Sequence, residues 1–228
     1  MGSAVIPIVF VVDGDLSVLA SLECLICYGG WRPRTFESAR EFMAQPRPFV
    51  PSCLILAVAP GNPEDLEIQM QIACERPEIP IVVISRCGDI PTAVKAMKAG
   101  AIDLLVNPFS SDALLGAIRQ GLERSGAALH REVAVRALRE RHASLTHRER
   151  QIMTLVAHGR LNKLIASELG ISEVTVKAHR GRVMRKMNAP SLAALVDMAG
   201  KLNLTRFTPQ LRLAESSRAS PPLQPAAA

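Results

Sequence analysis

The chain has 228 residues, of which 48% are hydrophobic and 21% are charged. At roughly 150 residues per domain, this length and composition predict one or two packed domains and exclude a largely disordered chain. The longest apolar runs, such as residues 5–12, are shorter than the roughly 20 residues that cross a bilayer, and no Lys or Arg precedes that run. The five cysteines are an odd number, which disfavours a disulfide scaffold. We therefore expect a cytoplasmic protein without a membrane span or a signal peptide.

Charge is distributed unevenly along the chain. Residues 1–122 carry 9 Lys and Arg against 13 Asp and Glu, a net charge of −4, whereas residues 123–228 carry 18 against 8, a net charge of +10. An acidic half joined to a basic half indicates two domains, and the basic one has the charge expected of a surface that meets nucleic acid. A basic surface that is merely solvated is the alternative that charge alone leaves open.

The first half alternates short apolar segments with helical patterns. The predicted strands are residues 5–12, 34–36, 53–58, 79–84 and 104–106, and the predicted helices are residues 16–28, 38–43, 64–74, 91–99 and 112–127. Unbroken apolar runs are typical of parallel strands buried on both faces. Five successive β–α units predict an α/β fold with a five-stranded parallel sheet and right-handed crossovers.

From residue 145 onwards the pattern is helical. Thr146 and Glu149 form a capping box, in which the hydroxyl caps the helix and the carboxylate returns to the Thr146 amide. Further helices are predicted at residues 162–169, 173–187 and 191–202. Residues 121–143 either extend the fifth helix of the first half or form a linker helix. The tail from residue 214 is rich in Ser, Pro and Ala and is expected to be disordered.

Two of these helices have the pattern of a helix-turn-helix. Ala166 allows close helix approach, Gly170 suits a left-handed turn, and Ser172 caps the second helix. The expected apolar skeleton is Ile165, Ala166, Leu169, Ile171, Val174 and Val176. Outside its buried side chains the second helix presents small and basic residues, an arrangement that suits the major groove of DNA. The alternative is an ordinary helical hairpin with a basic solvated face.

Several segments resemble a known family. LTHRERQI (residues 145–152), NKLIA (162–166), SEVTVKAHR (172–180) and VMRKM (183–187) resemble the LuxR-type DNA-binding domain. VVDGD (11–15), VVIS (82–85), GDIPTAVKAMKAGA (88–101) and NPF (107–109) resemble the receiver domain of NarL/FixJ-type response regulators. The resemblance covers about residues 4–207. It implies a flavodoxin-like (CheY-like) receiver at residues 4–122, a helical linker at 123–143, an all-α, four-helix LuxR-type domain at 144–207, and a tail at 208–228.

The resemblance also assigns roles in the second domain. It implies that Glu149 supports the scaffold and that Ala178 and Gly181 can face base edges. It implies phosphate or base contacts for Lys163, Thr175, Lys177, Arg180 and Lys186. With Ala178, Gly181 and Arg182, a further basic residue of the same helix, these are the residues expected at the DNA. Relatives often carry a longer polar side chain at Gly181, so the preferred DNA sequence stays open.

The receiver departs from its family at the positions that carry chemistry. Receivers need two adjacent acids that help bind Mg²⁺, a nucleophilic Asp after the third strand, a hydroxyl after the fourth, and a Lys before proline after the fifth. Asp13 and Ser85 match this pattern, whereas Gly14, Ala57 and Asn107 replace the second acid, the nucleophile and the lysine. We expect a pseudo-receiver that forms no aspartyl phosphate and holds neither metal nor cofactor.

Other residues near this site carry further expectations. Leu104 stands where many receivers have an aromatic side chain that rotates on activation, and Asp65 is expected to open a helix rather than replace the nucleophile. Cys87 lies beside the vacated site, where an exposed acidic thiol can sense oxidants, although inert cysteines are commoner. Cys24, Cys27, Cys53 and Cys74 are expected to be small core residues. By resemblance, the peptide between Asn107 and Pro108 is expected to be cis.

These features predict a sequence-specific DNA-binding transcriptional regulator, not an enzyme, that acts without phosphorylation of its own receiver. It should bind double-stranded DNA as a homodimer, with half-sites about one helical turn apart. The resemblance places the dimer contact on the fourth helix (residues 91–99) and the fifth strand (103–106). The alternative is a signalling adaptor whose pseudo-receiver binds an unknown partner protein or a small ligand, with DNA binding secondary.

Overall fold

A computed structural model describes residues 5–59, 62–86, 88 and 90–204. The strands are β1 (Ile8–Val12), β2 (Arg32–Phe36), β3 (Ser52–Val58), β4 (Ile81–Ser85) and β5 (Ala101–Val106). The helices are α1 (Leu16–Tyr28), α2 (Ala39–Met43), α3 (Pro63–Glu75), α4 (Ile90–Lys98), α5 (Ser111–Ala143), α6 (His147–Ala157), α7 (Asn162–Leu169), α8 (Glu173–Met187) and α9 (Leu192–Lys201). The expectations for Cys87 and for the C-terminal tail lie outside the described residues.

The five strands form one parallel sheet in the order β2-β1-β3-β4-β5. This order confirms the predicted flavodoxin-like receiver, and it places β1, β3 and β4 at the centre. The predicted strand ends were less accurate. The first strand begins at Ile8 rather than at residue 5, since Val5 and Ile6 are each 61% exposed. The fifth strand begins at Ala101, three residues before its predicted start.

Alternate residues of the central strands belong to two separate hydrophobic cores, one on each face of the sheet. Val9 and Val11 pack with α1 and α5 on one face, whereas Phe10 and Val12 pack with α2, α3 and α4 on the other. This alternation follows from the period of two along a strand. Full burial of each such side chain stabilises the fold by about 1.5–3 kcal/mol. The packed sheet therefore fixes the positions of the carboxyl ends of its strands.

Three of the four cysteines expected in the core are exposed, namely Cys24 and Cys27 of α1 and Cys74 of α3. That expectation was wrong, because apolar side chains occur nearly all around α1 and spacing alone does not show which face meets the sheet. Ile26, between the two α1 cysteines, is fully buried instead. The expectation for Cys53 of β3 is confirmed: it is fully buried, and burial raises the pKa of its thiol to about 12.

The fifth helix runs without interruption from Ser111 to Ala143, so residues 123–143 extend it. Two compact units divide between Val133 and Ala134, inside this helix. Leu122 belongs to a core of the first unit, whereas Leu138 belongs to the core of the second. No helix among the described residues has both the length and the apolar character needed to cross a membrane.

The second unit contains the four predicted helices, α6 to α9. The bounds of α7 and α8 match the prediction, and α9 is one residue shorter at each end than predicted. Their shared core includes Ile152, Met153, Ile165, Val176, Val183, Met187 and Leu195. Since α6 contacts both α8 and α9 while α7 contacts α8, α8 is held from two sides and one face remains for solvent.

Candidate functional site

In the receiver, the residues that match phosphorylation chemistry meet at the carboxyl edge of the sheet. Ala57 of β3 pairs with Ile84 of β4, and Ser85 pairs with Val106 of β5. A cavity of about 1030 Å³ opens at this edge, lined in part by Asp13, Gly14, Ala57 and Asn107. Ligands of open parallel sheets bind at such an edge, beside the point where the strand order reverses.

The acids after β1 bind the protein's own backbone. Oδ1 of Asp13 accepts a hydrogen bond from the Asp15 amide at 2.9 Å, and Oδ1 of Asp15 accepts from the Ser17 amide at 2.9 Å and the Ser17 hydroxyl at 2.7 Å. These bonds from Ser17 lower the pKa of Asp15. Asp15 therefore caps α1, and exposed Gly14 offers no carboxylate between the two acids.

Near the end of β3, Ala57 presents a methyl group at the position where the sequence resemblance expects the nucleophile of a receiver. Asp65 lies in the first turn of α3, as predicted. Its carboxylate accepts from the Ala59 amide at 2.6 Å and from Nδ2 of Asn62 at 2.9 Å. Both oxygens thus hold the segment that joins β3 to α3, which is a structural role at the start of the helix.

The remaining positions of this site lie on β4 and after β5. Ser85 is buried, and its carbonyl oxygen accepts a hydrogen bond from the Asn107 amide at 2.9 Å. The peptide between Asn107 and Pro108 is cis, which confirms the expectation. The Asn107 side chain is exposed. Across the described residues no group of three or more His, Cys, Asp or Glu is placed to hold a metal ion.

In the second unit, the predicted capping box is present at the start of α6. The Thr146 hydroxyl accepts from the Glu149 amide at 3.3 Å, and Oε2 of Glu149 accepts from the Thr146 amide at 2.8 Å. Glu149 is only 3% exposed, and the same Oε2 accepts from Nζ of Lys186 at 2.7 Å. The Lys186 bond and then the Thr146 amide lower the pKa of Glu149. Glu149 therefore joins α6 to α8.

The turn between α7 and α8 forms as the sequence indicates. Gly170 has φ +63°, a left-handed conformation that costs little for glycine. The Ser172 hydroxyl accepts from the Thr175 amide at 3.1 Å and so caps α8. Of the expected skeleton, Ile165, Ala166 and Val176 are buried, whereas Val174 is 76% exposed. On a helix, Val174 lies about 160° from Val176.

The exposed face of α8 lies opposite Val176, Val183 and Met187. Residues at the spacing i, i+4, i+7 and i+11 occupy its centre, namely Val174, Ala178, Gly181 and Arg185. Lys177 and Arg182 are also exposed and flank this line, and Lys163 is exposed on α7. A basic helix face with a small-residue centre can enter a major groove, where cations reach phosphates or guanine edges.

Three of the residues expected at the DNA are hydrogen-bonded within the domain. Nη1 of Arg180 donates to Oδ1 of Asn162 at 2.6 Å, which ties α8 to the start of α7. Lys186 is bound to Glu149, and the Thr175 hydroxyl shares a 2.8 Å hydrogen bond with that of Ser172. All three side chains are half-buried. The fold therefore gathers Lys177, Ala178, Gly181 and Arg182 on one open face and holds the other three at its edges.

Comparison with known proteins covers most of the chain. The family description "Response regulator receiver domain" matches residues 9–119, and "Bacterial regulatory proteins, luxR family" matches residues 143–199. The chain is 41% identical over 198 residues to nodulation protein W of Bradyrhizobium diazoefficiens, covering 87% of each chain. It is 40% identical over 195 residues to response regulator protein TmoT of Ectopseudomonas mendocina, covering 86% of this chain and 89% of that protein.

A solved structure and a further sequence relative agree with this assignment. The low-resolution structure of response regulator StyR is 44% identical to the chain, with a TM-score of 0.72, and the match covers 86% of this chain and 98% of that one. The transcriptional regulatory protein FixJ of Rhizobium meliloti is 35% identical over 191 residues, covering 84% of this chain and 94% of that protein. The chain therefore belongs to the NarL/FixJ-type response regulators, transcriptional regulators in which a receiver domain is followed by a LuxR-type helix-turn-helix domain.

Proposed function

We propose that this response regulator binds specific DNA sequences as a homodimer and controls transcription without phosphorylation of its own receiver. The pseudo-receiver at residues 4–122 then serves as a dimerisation domain, the LuxR-type domain at residues 144–207 binds DNA, and the helical segment 123–143 connects them. Neither a metal nor a cofactor takes part in this function, and the protein is not an enzyme.

The observation that carries the proposal is the alanine at the end of β3. A phosphoryl group is accepted by a carboxylate oxygen, and Ala57 offers only a methyl group at that position. Asp65, the nearest replacement, already accepts two hydrogen bonds from its own loop. With Gly14 and Asn107, the site also lacks the second metal-binding acid and the cation that neutralises charge during transfer.

The surface of α4 supports the homodimer. Ile90, Val94 and Met97 follow the spacing i, i+4 and i+7 and are 78%, 44% and 48% exposed, and Val106 of the adjacent β5 is 37% exposed. An apolar stripe of this kind is costly in water and is typical of a surface that meets a partner. We assign it to a second copy of the chain, since the resemblance places the dimer contact on this helix and strand.

The open face of α8 supports the DNA-binding role. Lys177 and Arg182 are exposed on either side of small residues, and the other three helices of the unit hold α8 by its opposite face. Neutralising phosphates with such cations releases counterions, so the affinity should fall steeply as salt is raised. Phosphate neutralisation allows binding to DNA of any sequence, whereas the side chains at the centre of the face give the sequence preference.

The decisive experiment measures DNA binding with and without a phosphodonor. The full-length protein is tested by gel shift and footprinting against promoter regions of its own genome, before and after incubation with acetyl phosphate and Mg²⁺. We expect equal affinity and an unchanged protein mass in both samples. A requirement for acetyl phosphate, or a protein species heavier by one phosphoryl group, would contradict the proposal.

A further inference from the structure

Val174 presents a largely exposed apolar side chain on the α8 face. It lies in the first turn of the helix, is 76% exposed, and is absent from the core of the second unit, although Val176 two residues later is fully buried. Because Val174 and Val176 point to nearly opposite sides of the helix, the fold determines which valine packs inside and which faces outward.

The domain itself gains little from a valine here. A β-branched residue is less favourable in a helix than alanine, because its side chain loses rotamer freedom, and little of Val174 is removed from water. The polar groups beside it are already satisfied: Ser172 caps the Thr175 amide, and the two hydroxyls bond each other. At the start of α8 the methyl groups of Val174 are therefore exposed to a partner, beside the exposed carboxylate of Glu173.

The chemistry of that partner follows from the position. In helix-turn-helix proteins the N-terminal residues of the second helix contact base edges in the major groove. Among the four bases only thymine presents a methyl group there, and apolar side chains contact that group. We infer that Val174 is a specificity-determining residue that packs against the 5-methyl group of a thymine in each half-site. This inference rests on the proposed DNA-binding function.

The surroundings of Val174 favour DNA over an apolar protein surface. Lys177 and Arg182 are exposed on the same face, and the unit has an excess of basic residues. Cations on both sides of one valine fit a polyanion whose groove contains isolated methyl groups, because the cations bind phosphates while the valine contacts a base. An apolar protein partner would leave those cations to be desolvated without compensation.

The test uses deoxyuridine, which differs from thymidine only by the missing methyl group. The full-length protein first selects duplexes from a random-sequence library, and the enriched sequence is then prepared with each thymine replaced in turn. Dissociation constants are measured by fluorescence anisotropy at one fixed salt concentration for wild type, Val174→Ala and Val174→Thr. Val133→Ala is the matched control, since Val133 is also a largely exposed valine (66%) but lies on α5.

For wild type and Val133→Ala, we expect one thymine per half-site whose replacement weakens binding about threefold to fivefold. Val174→Ala should bind the thymine and uracil duplexes nearly equally at that position, whereas Val174→Thr, which keeps one γ-methyl group, should retain part of the difference. If selection enriches no sequence, the proposed sequence-specific function is itself wrong. If a sequence is enriched but no thymine depends on its methyl group, or the dependence persists in Val174→Ala, only the assignment of Val174 is overturned.

Discussion

Nζ of Lys186 lies 2.7 Å from Oε2 of Glu149, so a cation near the end of α8 is directed into the domain rather than toward solvent. The same carboxylate closes the capping box of α6, and Lys186 also donates to the Ser144 carbonyl at 3.3 Å. One buried acid thus fixes the start of α6 and the end of α8 relative to each other. In the free protein Lys186 stabilises the scaffold, and its expected contact with DNA stays a prediction.

The first prediction concerns this acid and pH. The pKa of Glu149 is lowered from 4.5, chiefly by Lys186, so its stabilising effect is present above pH 4.5 and is lost as the pH falls through the folded-state pKa. We expect Glu149→Gln to lower the free energy of unfolding at neutral pH by about 2 kcal/mol. The difference from wild type should shrink as the pH falls below 4.5.

Hydrogen exchange of the α6 and α8 amides is the appropriate measurement, since the only tryptophan, Trp31, lies in the receiver. Asp197→Asn is the control, because Asp197 and its partner Lys201 are both largely exposed. That variant should change stability by less than about 0.5 kcal/mol. Equal effects of the two variants would show that burial of Glu149 has no particular importance.

The second prediction compares alanine substitutions at two helical glycines, of which only one is proposed to face DNA. A Cβ added to Gly181 of α8 or to Gly116 of α5 meets nothing within 4 Å, so alanine at either position should stabilise its helix by up to about 1 kcal/mol. Only Gly181→Ala should weaken DNA binding, by several-fold, because only Gly181 lies on the proposed groove-facing side. Thermal unfolding and anisotropy titrations of both variants check this, and equal DNA affinities would argue against close approach at Gly181.

The third prediction restores the receiver chemistry. The triple variant Gly14→Asp, Ala57→Asp, Asn107→Lys should accept a phosphoryl group from acetyl phosphate with Mg²⁺, whereas wild type and Asp65→Ala should behave alike and accept none. A Cβ at residue 14 meets nothing within 4 Å, so the first change fits the backbone. Intact-mass spectrometry detects the product. Phosphorylation of wild type that disappears in Asp65→Ala would identify Asp65 as a substitute acceptor.

The fourth prediction concerns the apolar stripe of α4. Val94→Glu places a carboxylate at the centre of the proposed dimer contact and should raise the dimer dissociation constant at least about tenfold. Val133→Glu makes the same change at an exposed valine of α5 and should leave the dimer dissociation constant unaltered. Analytical ultracentrifugation of the full-length chain distinguishes the two. If the wild-type protein stays monomeric at high concentration, the proposal that the apolar stripe of α4 is a dimer contact is wrong.

The fifth prediction concerns cations on the open face of α8. Lys177→Ala should weaken DNA binding and reduce the slope of log affinity against log salt by about one unit. Arg136→Ala removes an exposed cation of α5 that pairs with Glu140, and should leave the slope unchanged. In cells, the double variant Lys177→Ala, Arg180→Ala should lose all regulation. Retained regulation would favour an adaptor that acts through its pseudo-receiver.

Much of this protein follows from local sequence signals. The capping box of Thr146 and Glu149, the left-handed Gly170 and the cap at Ser172 act over three or four residues, so the start of α6 and the bounds of α7 and α8 were predicted correctly. The absence of a carboxylate at Ala57 is likewise visible in the sequence, because no fold can supply an atom that the residue lacks.

Other features depend on contacts between residues that are distant in the chain. The spacing of α1 permits several buried faces, and only packing on the sheet chose the one that contains Ile26 and left Cys24 and Cys27 exposed. The bond between Glu149 and Lys186 spans 37 positions, and the outward direction of Val174 depends on the three helices packed around α8. Sequence patterns determined the elements and the absence of a carboxylate at Ala57, whereas tertiary packing decided which side chains face water. The reason is that burial depends on neighbours that local spacing does not specify.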